Sequence, residues 1–173
     1  MAPHILVVGG TGMLSGLVEA LAGDGGRLSL LSRHASRFVG DRFAAYDVDY
    51  YDEAAFIAAL DAAGPVDLAV AWFHTLKIAA PRRLAERMRG RLFQVLGSAA
   101  GDPSRPDRLA AAVAVADGLP RCALRQVVLG FQVEDGRSRW LTDQEIFRGV
   151  LDAVRSDATL SVVGTVEPWS ARP

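Results

Sequence analysis

The segment His4-Ile-Leu-Val-Val-Gly-Gly-Thr-Gly-Met-Leu-Ser-Gly16 constrains the fold more than any other part of the chain. Ile5 to Val8 is a short apolar run of the kind that forms a buried strand. Gly9, Gly10 and Gly12 follow at once, and a helical pattern begins near Met13. A chain that passes from strand to helix in so few residues needs positions without Cβ. The same turn aims backbone N–H groups at the start of the helix, where they can close on a phosphate. Strand, glycine turn and helix in this order point to a dinucleotide site, whereas the glycines alone would mark only a tight turn.

Aligned on Gly9, the pattern is Gly9-x-x-Gly12-x-x-Ser15, with Gly16 one place late. Gly9 is expected to make the sharp turn and Gly12 to admit a pyrophosphate. Ser15, at the position that packs helix against strand, is small enough to keep that packing. Thr11, Met13 and Leu14 complete the stretch and are expected to contact the same cofactor. The helix to about Ala22 carries Leu14, Leu17, Val18 and Leu21 on one face, and Arg27 to Leu31 reads as the second strand. A site for NAD places an acid at the end of this strand, on the ribose 2′-hydroxyl. Here the segment is Ser32-Arg33-His34-Ala35-Ser36-Arg37. A carboxylate would repel a 2′-phosphate, whereas guanidinium groups bind it through charge-assisted hydrogen bonds. Ser32, Arg33 and Arg37 therefore predict NADP(H) over NAD(H); a solvated surface is the plainer reading of the two arginines.

Alternation continues through the chain. Strands are expected at Arg42–Tyr46, Asp67–Phe73, Arg91–Leu96, Cys122–Leu129 and Leu160–Val163. Helices are expected at Asp52–Ala63, Pro81–Arg89 and Pro106–Asp117, with another to about Val154 behind the capping box Thr142-Asp-Gln-Glu145. Strands alternating with helices imply a parallel sheet with right-handed crossovers. The expected fold is one α/β domain over residues 1–173: Rossmann-like and doubly wound, with about seven mostly parallel strands and helices on both faces. A ligand would sit at the carboxyl ends of the strands, between the first and fourth.

Composition removes several classes. Half of the 173 residues are hydrophobic, and the mean hydropathy is +0.18, yet no apolar run approaches a membrane span. A net charge of −1 makes no electrostatic case for nucleic acid or an anionic membrane. The first strand begins within a few residues of Met1, so no signal peptide is expected and the cytoplasm is the default compartment. Cys122 is the only cysteine, which excludes an intrachain disulfide, and it reads as buried filler and not as a nucleophile. His4, His34 and His74 share no metal-ligand spacing, so no metal is expected. There is no G-x-S-x-G elbow and no G-x-x-x-x-G-K-[ST] loop. Arg82, Arg83, Arg87, Arg89 and Arg91 lack interleaved aromatics and read as a solvated helix face or a subunit contact.

These residues resemble the short-chain dehydrogenase/reductase family over nearly the whole Rossmann core. Val8-Gly-Gly-Thr-Gly-Met-Leu-Ser15 is similar to the glycine motif of its extended and atypical members. The resemblance implies that Asp47 and Val48 flank an adenine ring. It places Ser98, closing the fifth strand, where the family keeps a catalytic serine, and Gly130 and Phe131 beside the nicotinamide. Ser138-Arg-Trp-Leu-Thr-Asp-Gln-Glu-Ile146 and Val163-Gly-Thr-Val-Glu-Pro-Trp169 are similar to a small bacterial subgroup. Homodimers through the fourth and fifth crossover helices are usual in the family.

The departure from the family is as informative. Its catalytic tyrosine, followed four residues later by a lysine, falls about a dozen residues after the serine. Counting on from Ser98 gives Ala111 and Val115. Tyr46, Tyr50 and Tyr51 all precede the fourth strand, and Lys77 is the only lysine. The asparagine-rich motif after the fourth strand is replaced by Ala71-Trp72-Phe73-His74-Thr75, which puts Trp72 and His74 at the cofactor. Hydride transfer needs only a held nicotinamide and an acceptor, but carbonyl reduction also needs a proton donor. His74 is the candidate donor, with a structural hydrogen bond as the plainer alternative. Ser98 is the candidate to orient a substrate oxygen or to contact the nicotinamide ribose, with a plain strand-end turn as the alternative. Asp143 and Glu145 are explained by capping. Trp140 and Trp169 would roof the pocket or join the core. Two functional classes follow: an NADP(H)-dependent reductase of small carbonyl or imine substrates with a replaced proton relay, or a non-catalytic NADP(H)-binding redox sensor or regulatory module.

Overall fold

All five residues of the first strand are buried, as a strand covered on both faces requires. The computed structural model describes residues 2–23, 25–75 and 77–173. In chain order the elements are β1 (His4–Val8), α1 (Ser15–Gly23), β2 (Arg27–Ser32), α2 (Ala35–Val39), β3 (Ala44–Asp47), α3 (Glu53–Ala63), β4 (Val66–Trp72), α4 (Ala80–Ala85), β5 (Met88–Leu96), α5 (Asp107–Val113), β6 (Ala123–Leu129), β7 (Phe131–Glu134), β8 (Arg137–Trp140), α6 (Asp143–Ser156) and β9 (Leu160–Val163).

Seven strands form one sheet in the order β3-β2-β1-β4-β5-β6-β9, and every pairing in it is parallel. This is the Rossmann-like, doubly wound fold expected from the alternation. Side-chain alternation along β1 sorts the core. Ile5 and Val7 pack with Leu17, Val18, Leu21, Ile146 and Val150 from α1 and α6. Leu6 and Val8 pack on the other face with Phe56, Leu60 and Leu84 from α3 and α4. The register sets Val8 level with both Leu31 of β2 and Ala71 of β4. The residues that follow these strands therefore emerge together at one end of the sheet, where the strand order reverses.

Several elements depart from those expected: α2 is additional, and β3 runs over Ala44–Asp47 in place of Arg42–Tyr46. The arginine-rich helix stops at Ala85, and β5 starts at Met88, not Arg91. Met88 is buried and pairs with Val66, and a Cβ at Gly90 would fall 2.0 Å from the Asp67 carbonyl oxygen, so the strands close tightly here. Arg82, Arg83 and Arg87 of this run pair with Glu86, Glu53 and Asp61. The alanine-rich helix ends at Val113 and continues as a 3₁₀ turn over Ala114–Ala116. An antiparallel hairpin, β7–β8, is additional to the expected strands. Asp135 and Gly136 between them both have positive φ, 50° and 73°, as a two-residue type I′ hairpin turn requires. The capping box is present as read: Thr142 Oγ1 accepts from the Glu145 N–H at 3.2 Å, and the Glu145 carboxylate accepts from the Thr142 N–H at 2.8 Å.

Candidate functional site

At the reversal between β1 and β4 lies a cavity of about 460 Å³, lined by the Gly9–Met13 turn, Ser32 to His34, Val48 to Tyr51, Trp72 and His74. Its floor is set by the glycine turn. Gly9 has φ +77°, and a Cβ there would lie 3.0 Å from the Trp72 carbonyl oxygen. The turn thus needs glycine both for its backbone angle and for the press of β4. A Cβ on Gly12 would meet nothing within 4 Å, so the space above it is open. Close packing around α1 is also visible at Gly10 and Gly16. A Cβ on Gly10 would lie 2.7–2.9 Å from Val7, Leu30 and Val18 side chains, and one on Gly16 would lie 2.9 Å from the Phe147 ring of α6. Gly10 seats α1 on the sheet, and Gly16 seats α1 against α6. Leu14 is fully buried in the core and does not line the cavity.

The β2 end supplies Ser32 and Arg33. Ser32 is buried, and its Oγ has no hydrogen-bond partner among the described residues. Arg33 is exposed and lines the cavity. Arg37 lies one turn into α2, exposed and outside the lining. Asp47 also stays out of the lining. Its carboxylate accepts from the Ser36 hydroxyl and from the Ser36 N–H, which ties the start of α2 to β3. The Ser36 side-chain bond is the main reason that its carboxyl is held below the usual range. Val48 does line the cavity, as expected, and its N–H donates to the Ser32 carbonyl at 3.0 Å. The carboxylate within the lining is Asp49, whose Oδ1 accepts from the Tyr51 N–H at 3.0 Å.

Aromatic rings form one wall of the cavity, with Trp72 directly against the glycine turn. The rings of Tyr50 and Tyr51 lie 4.9 Å apart, Tyr50 and His74 6.4 Å, and Trp72 and His74 5.7 Å at a right angle. Trp72 Nε1–H donates to His74 Nδ1 at 3.2 Å. An indole nitrogen can only donate, so Nδ1 must accept and the imidazole proton sits on Nε2. The His74 N–H donates to the Tyr50 hydroxyl at 3.3 Å. Burial pushes the Tyr50 phenol upward, and that bond only partly opposes it. Tyr50, Tyr51, His34 and Asp49 are the lining residues that the sequence reading did not assign. The available signal was adjacency: Asp49 to Tyr51 follow Val48 directly, at the end of the third strand.

Ser98, Gly130 and Phe131 lie apart from this lining. Ser98 opens the 3₁₀ turn Ser98–Gly101 and is buried. Gly97 before it faces the indole of Trp72; a Cβ there would lie 3.6 Å from Cη2. Gly130 is a close crossing of backbones, where a Cβ would fall 2.1 Å from the Thr165 carbonyl oxygen. Phe131 is fully buried and exchanges both backbone hydrogen bonds with Thr165. Both positions serve the join between β6, the hairpin and β9. Cys122 is buried, and that burial pushes its thiol up to about 11, which keeps it protonated at neutral pH. Among the described residues no three His, Cys, Asp or Glu side chains are grouped to hold a metal, and no helix is long and apolar enough to cross a membrane.

No protein-family model matches the sequence, and no curated protein matches it significantly. Solved structures with the same fold are numerous. A short-chain dehydrogenase from Burkholderia cenocepacia in complex with NADP superposes with a TM-score of 0.71 at 18% identity, covering 95% of this chain and 89% of that one. An apo SCOR enzyme from Clostridium thermocellum gives 0.69 at 16% identity, with 95% and 92% covered. BdcA in complex with NADPH gives 0.63 at 18% identity, with 94% and 93% covered. At these identities the likeness is one of fold.

Proposed function

We propose that this chain is an NADP(H)-binding oxidoreductase resembling the short-chain dehydrogenase/reductases, acting on a small carbonyl or imine substrate without the usual tyrosine and lysine. The observation that carries the reading is the cavity at the strand reversal, with open space above Gly12 on one side and Arg33 beside Ser32 on the other. The residues fit the cofactor. Gly9, Thr11, Gly12 and Met13 would surround its pyrophosphate. The unpartnered Ser32 hydroxyl and Arg33 would meet the 2′-phosphate, with no carboxylate at the end of β2 to repel it. Val48 would lie against the adenine. Two structures of the same fold hold NADP or NADPH, which supports the choice.

When bound, NADPH supplies the hydride. The chain's part is to hold, orient and provide a proton. His74 lines the cavity, and its Nε2–H would be the donor to a substrate oxygen. To release a whole proton it must first gain one at Nδ1, which breaks the bond from Trp72 Nε1. The same bond orients the ring, so Trp72 is a positioning residue for His74. Tyr50 is held protonated and is the wrong group to act as a low-pKa relay. A second reading, a non-catalytic NADP(H)-binding redox sensor, draws on this last point and on a hydrogen bond into Ser98 from Arg172. Measuring NADPH oxidation over a panel of small carbonyl and imine substrates separates the two. Turnover is expected; a protein that binds NADPH yet stays inert across the panel establishes the sensor.

A further inference from the structure

One cation stands over the other side of the strand ends. Arg172 follows the 3₁₀ turn Trp169–Ala171. The centre of its guanidinium lies over two indole rings, 5.0 Å from the centroid of Trp140 and 5.3 Å from that of Trp169. Its Nε–H donates to Ser98 Oγ at 3.0 Å. Three segments distant in sequence thus meet: the end of β8, the turn after β9 and the turn after β5. Trp140 is 47% exposed and Trp169 half-buried, so neither joins the core. Several arginines pair with a carboxylate, among them Arg42, Arg83, Arg87, Arg125 and Arg139; Arg172 differs from these in being held by two indoles and a serine. Arg172 has no carboxylate within 4.0 Å among the described residues, and its two Nη groups make no hydrogen bond there.

A guanidinium that is stacked, anchored through Nε and free at both Nη groups is pre-organised for a planar anion. Its remaining edge offers two parallel N–H donors, the geometry that a carboxylate accepts in bidentate fashion. The stacking has already restricted the side chain, so a ligand loses little further entropy in ordering it. Ser98 is set up by the same contact. One lone pair of Oγ accepts from Arg172, which leaves the hydroxyl proton to donate elsewhere. Ser98 follows Gly97, which abuts Trp72, and Trp72 lines the cavity from its far side. The cation therefore sits beyond Trp72, away from the end occupied by Ser32 and Arg33.

We infer that Arg172 binds the carboxylate of the substrate while Ser98 donates to its reacting carbonyl, so that the substrate is a small oxo acid, or the hydroxy acid in the reverse direction. The inference rests on the oxidoreductase reading above. In the reduction the carbonyl carbon gains the hydride of NADPH and the carbonyl oxygen gains one proton from solvent by way of His74. The oxo acid leaves as a hydroxy acid and the cofactor as NADP⁺.

The test is calorimetry on the full chain with NADPH present. The probes are oxamate, an oxo-acid analogue that carries one carboxylate, and oxamide, its neutral counterpart. Oxamate should saturate a single site, and oxamide should bind at least tenfold more weakly. Arg172→Gln should weaken oxamate at least tenfold, and Arg172→Lys, which keeps the charge and loses the fork, should fall between. NADPH affinity, measured alongside, should be the same in all three proteins, and circular dichroism checks their folding. Oxamate that binds wild type and Arg172→Gln alike, binds no better than oxamide, or does not bind overturns the assignment. If NADPH binds and oxamate does not, this inference alone fails; if neither binds, the cofactor reading fails with it.

Discussion

Arg33 and Arg37 show how much a single turn of chain decides. In the sequence they are equivalent candidates for a 2′-phosphate, yet only Arg33 borders the cavity. Arg33→Ala should therefore weaken NADPH roughly 10–100-fold, the usual cost of a lost charged hydrogen bond, and leave NADH binding unchanged. Arg37→Ala should alter neither. Titration calorimetry with both cofactors measures this, and an Arg37→Ala effect as large as that of Arg33→Ala would refute the placement. His74 carries the second residue-scale prediction. His74→Ala should lower turnover on the order of 10²-fold, the scale of a lost acid–base group. Tyr50→Phe should stay within a few-fold of wild type, since the phenol is held protonated. Trp72→Phe removes the bond to Nδ1 and should lower turnover without abolishing it. Unchanged turnover in that variant would show that the indole does not orient the ring. Equal activity in His74→Ala would assign the proton to water.

Elements are joined here by glycines whose duties differ although they sit side by side. Gly12 faces open space, and Gly10 faces three packed side chains. Gly12→Val should leave the fold intact and abolish NADPH binding, because its branched side chain fills the space read as the phosphate's. Gly10→Ala should do the reverse in kind, destabilising the fold by about 1–3 kcal/mol through overpacking of α1 on β1 and β2. Urea denaturation and a fluorescence titration on both variants distinguish the two outcomes. The order of strands and helices was legible in the sequence because burial on both faces demands continuous apolar runs in β1, β2 and β4. The hairpin was less legible. Its strands, Phe131–Glu134 and Arg137–Trp140, are short and largely polar, so no periodicity announces them, and only the Asp135-Gly136 turn does. The limits of α4 were hidden for a different reason. Arg83 and Arg87 suit either a helix or its edge, and the burial of Met88 against β4 ends the helix early.

At the scale of the whole molecule, His4 ties the first strand to its neighbours at the end of the sheet opposite the cavity. Its Nε2 meets Ser29 Oγ at 2.8 Å, and its Nδ1 lies 2.8 Å from the Pro65 carbonyl and 2.9 Å from Arg27 Nη2. Burial, reinforced by Arg27, holds the imidazole below its ordinary 6.5, against the opposing pull of the Pro65 carbonyl and Asp67. A histidine depressed in the folded state stays neutral where the unfolded chain takes up a proton. Its contribution is complete above pH 6.5 and is lost as the pH falls through the folded value. Wild type should therefore lose more stability between pH 7.5 and 5.5 than His4→Gln, measured by urea denaturation at both pH values. Equal losses would show that His4 is charged in the folded protein.

What the sequence determined by itself is local: the buried strands, the glycine turn that leaves β1, the missing acid after β2, and the absence of a tyrosine and lysine spaced by four after Ser98. Each is written in contiguous residues, because backbone geometry and burial periodicity act over a few positions. Tertiary structure alone decided the rest. It brought Tyr50 against His74, packed Gly10 and Gly16 under neighbouring side chains, placed Gly130 and Phe131 where β6, the hairpin and β9 join, and set Arg172 on Ser98 across 74 residues. Those outcomes depend on how loops from separate crossovers meet at the carboxyl ends of one sheet. Only the packed register of the strands fixes that meeting.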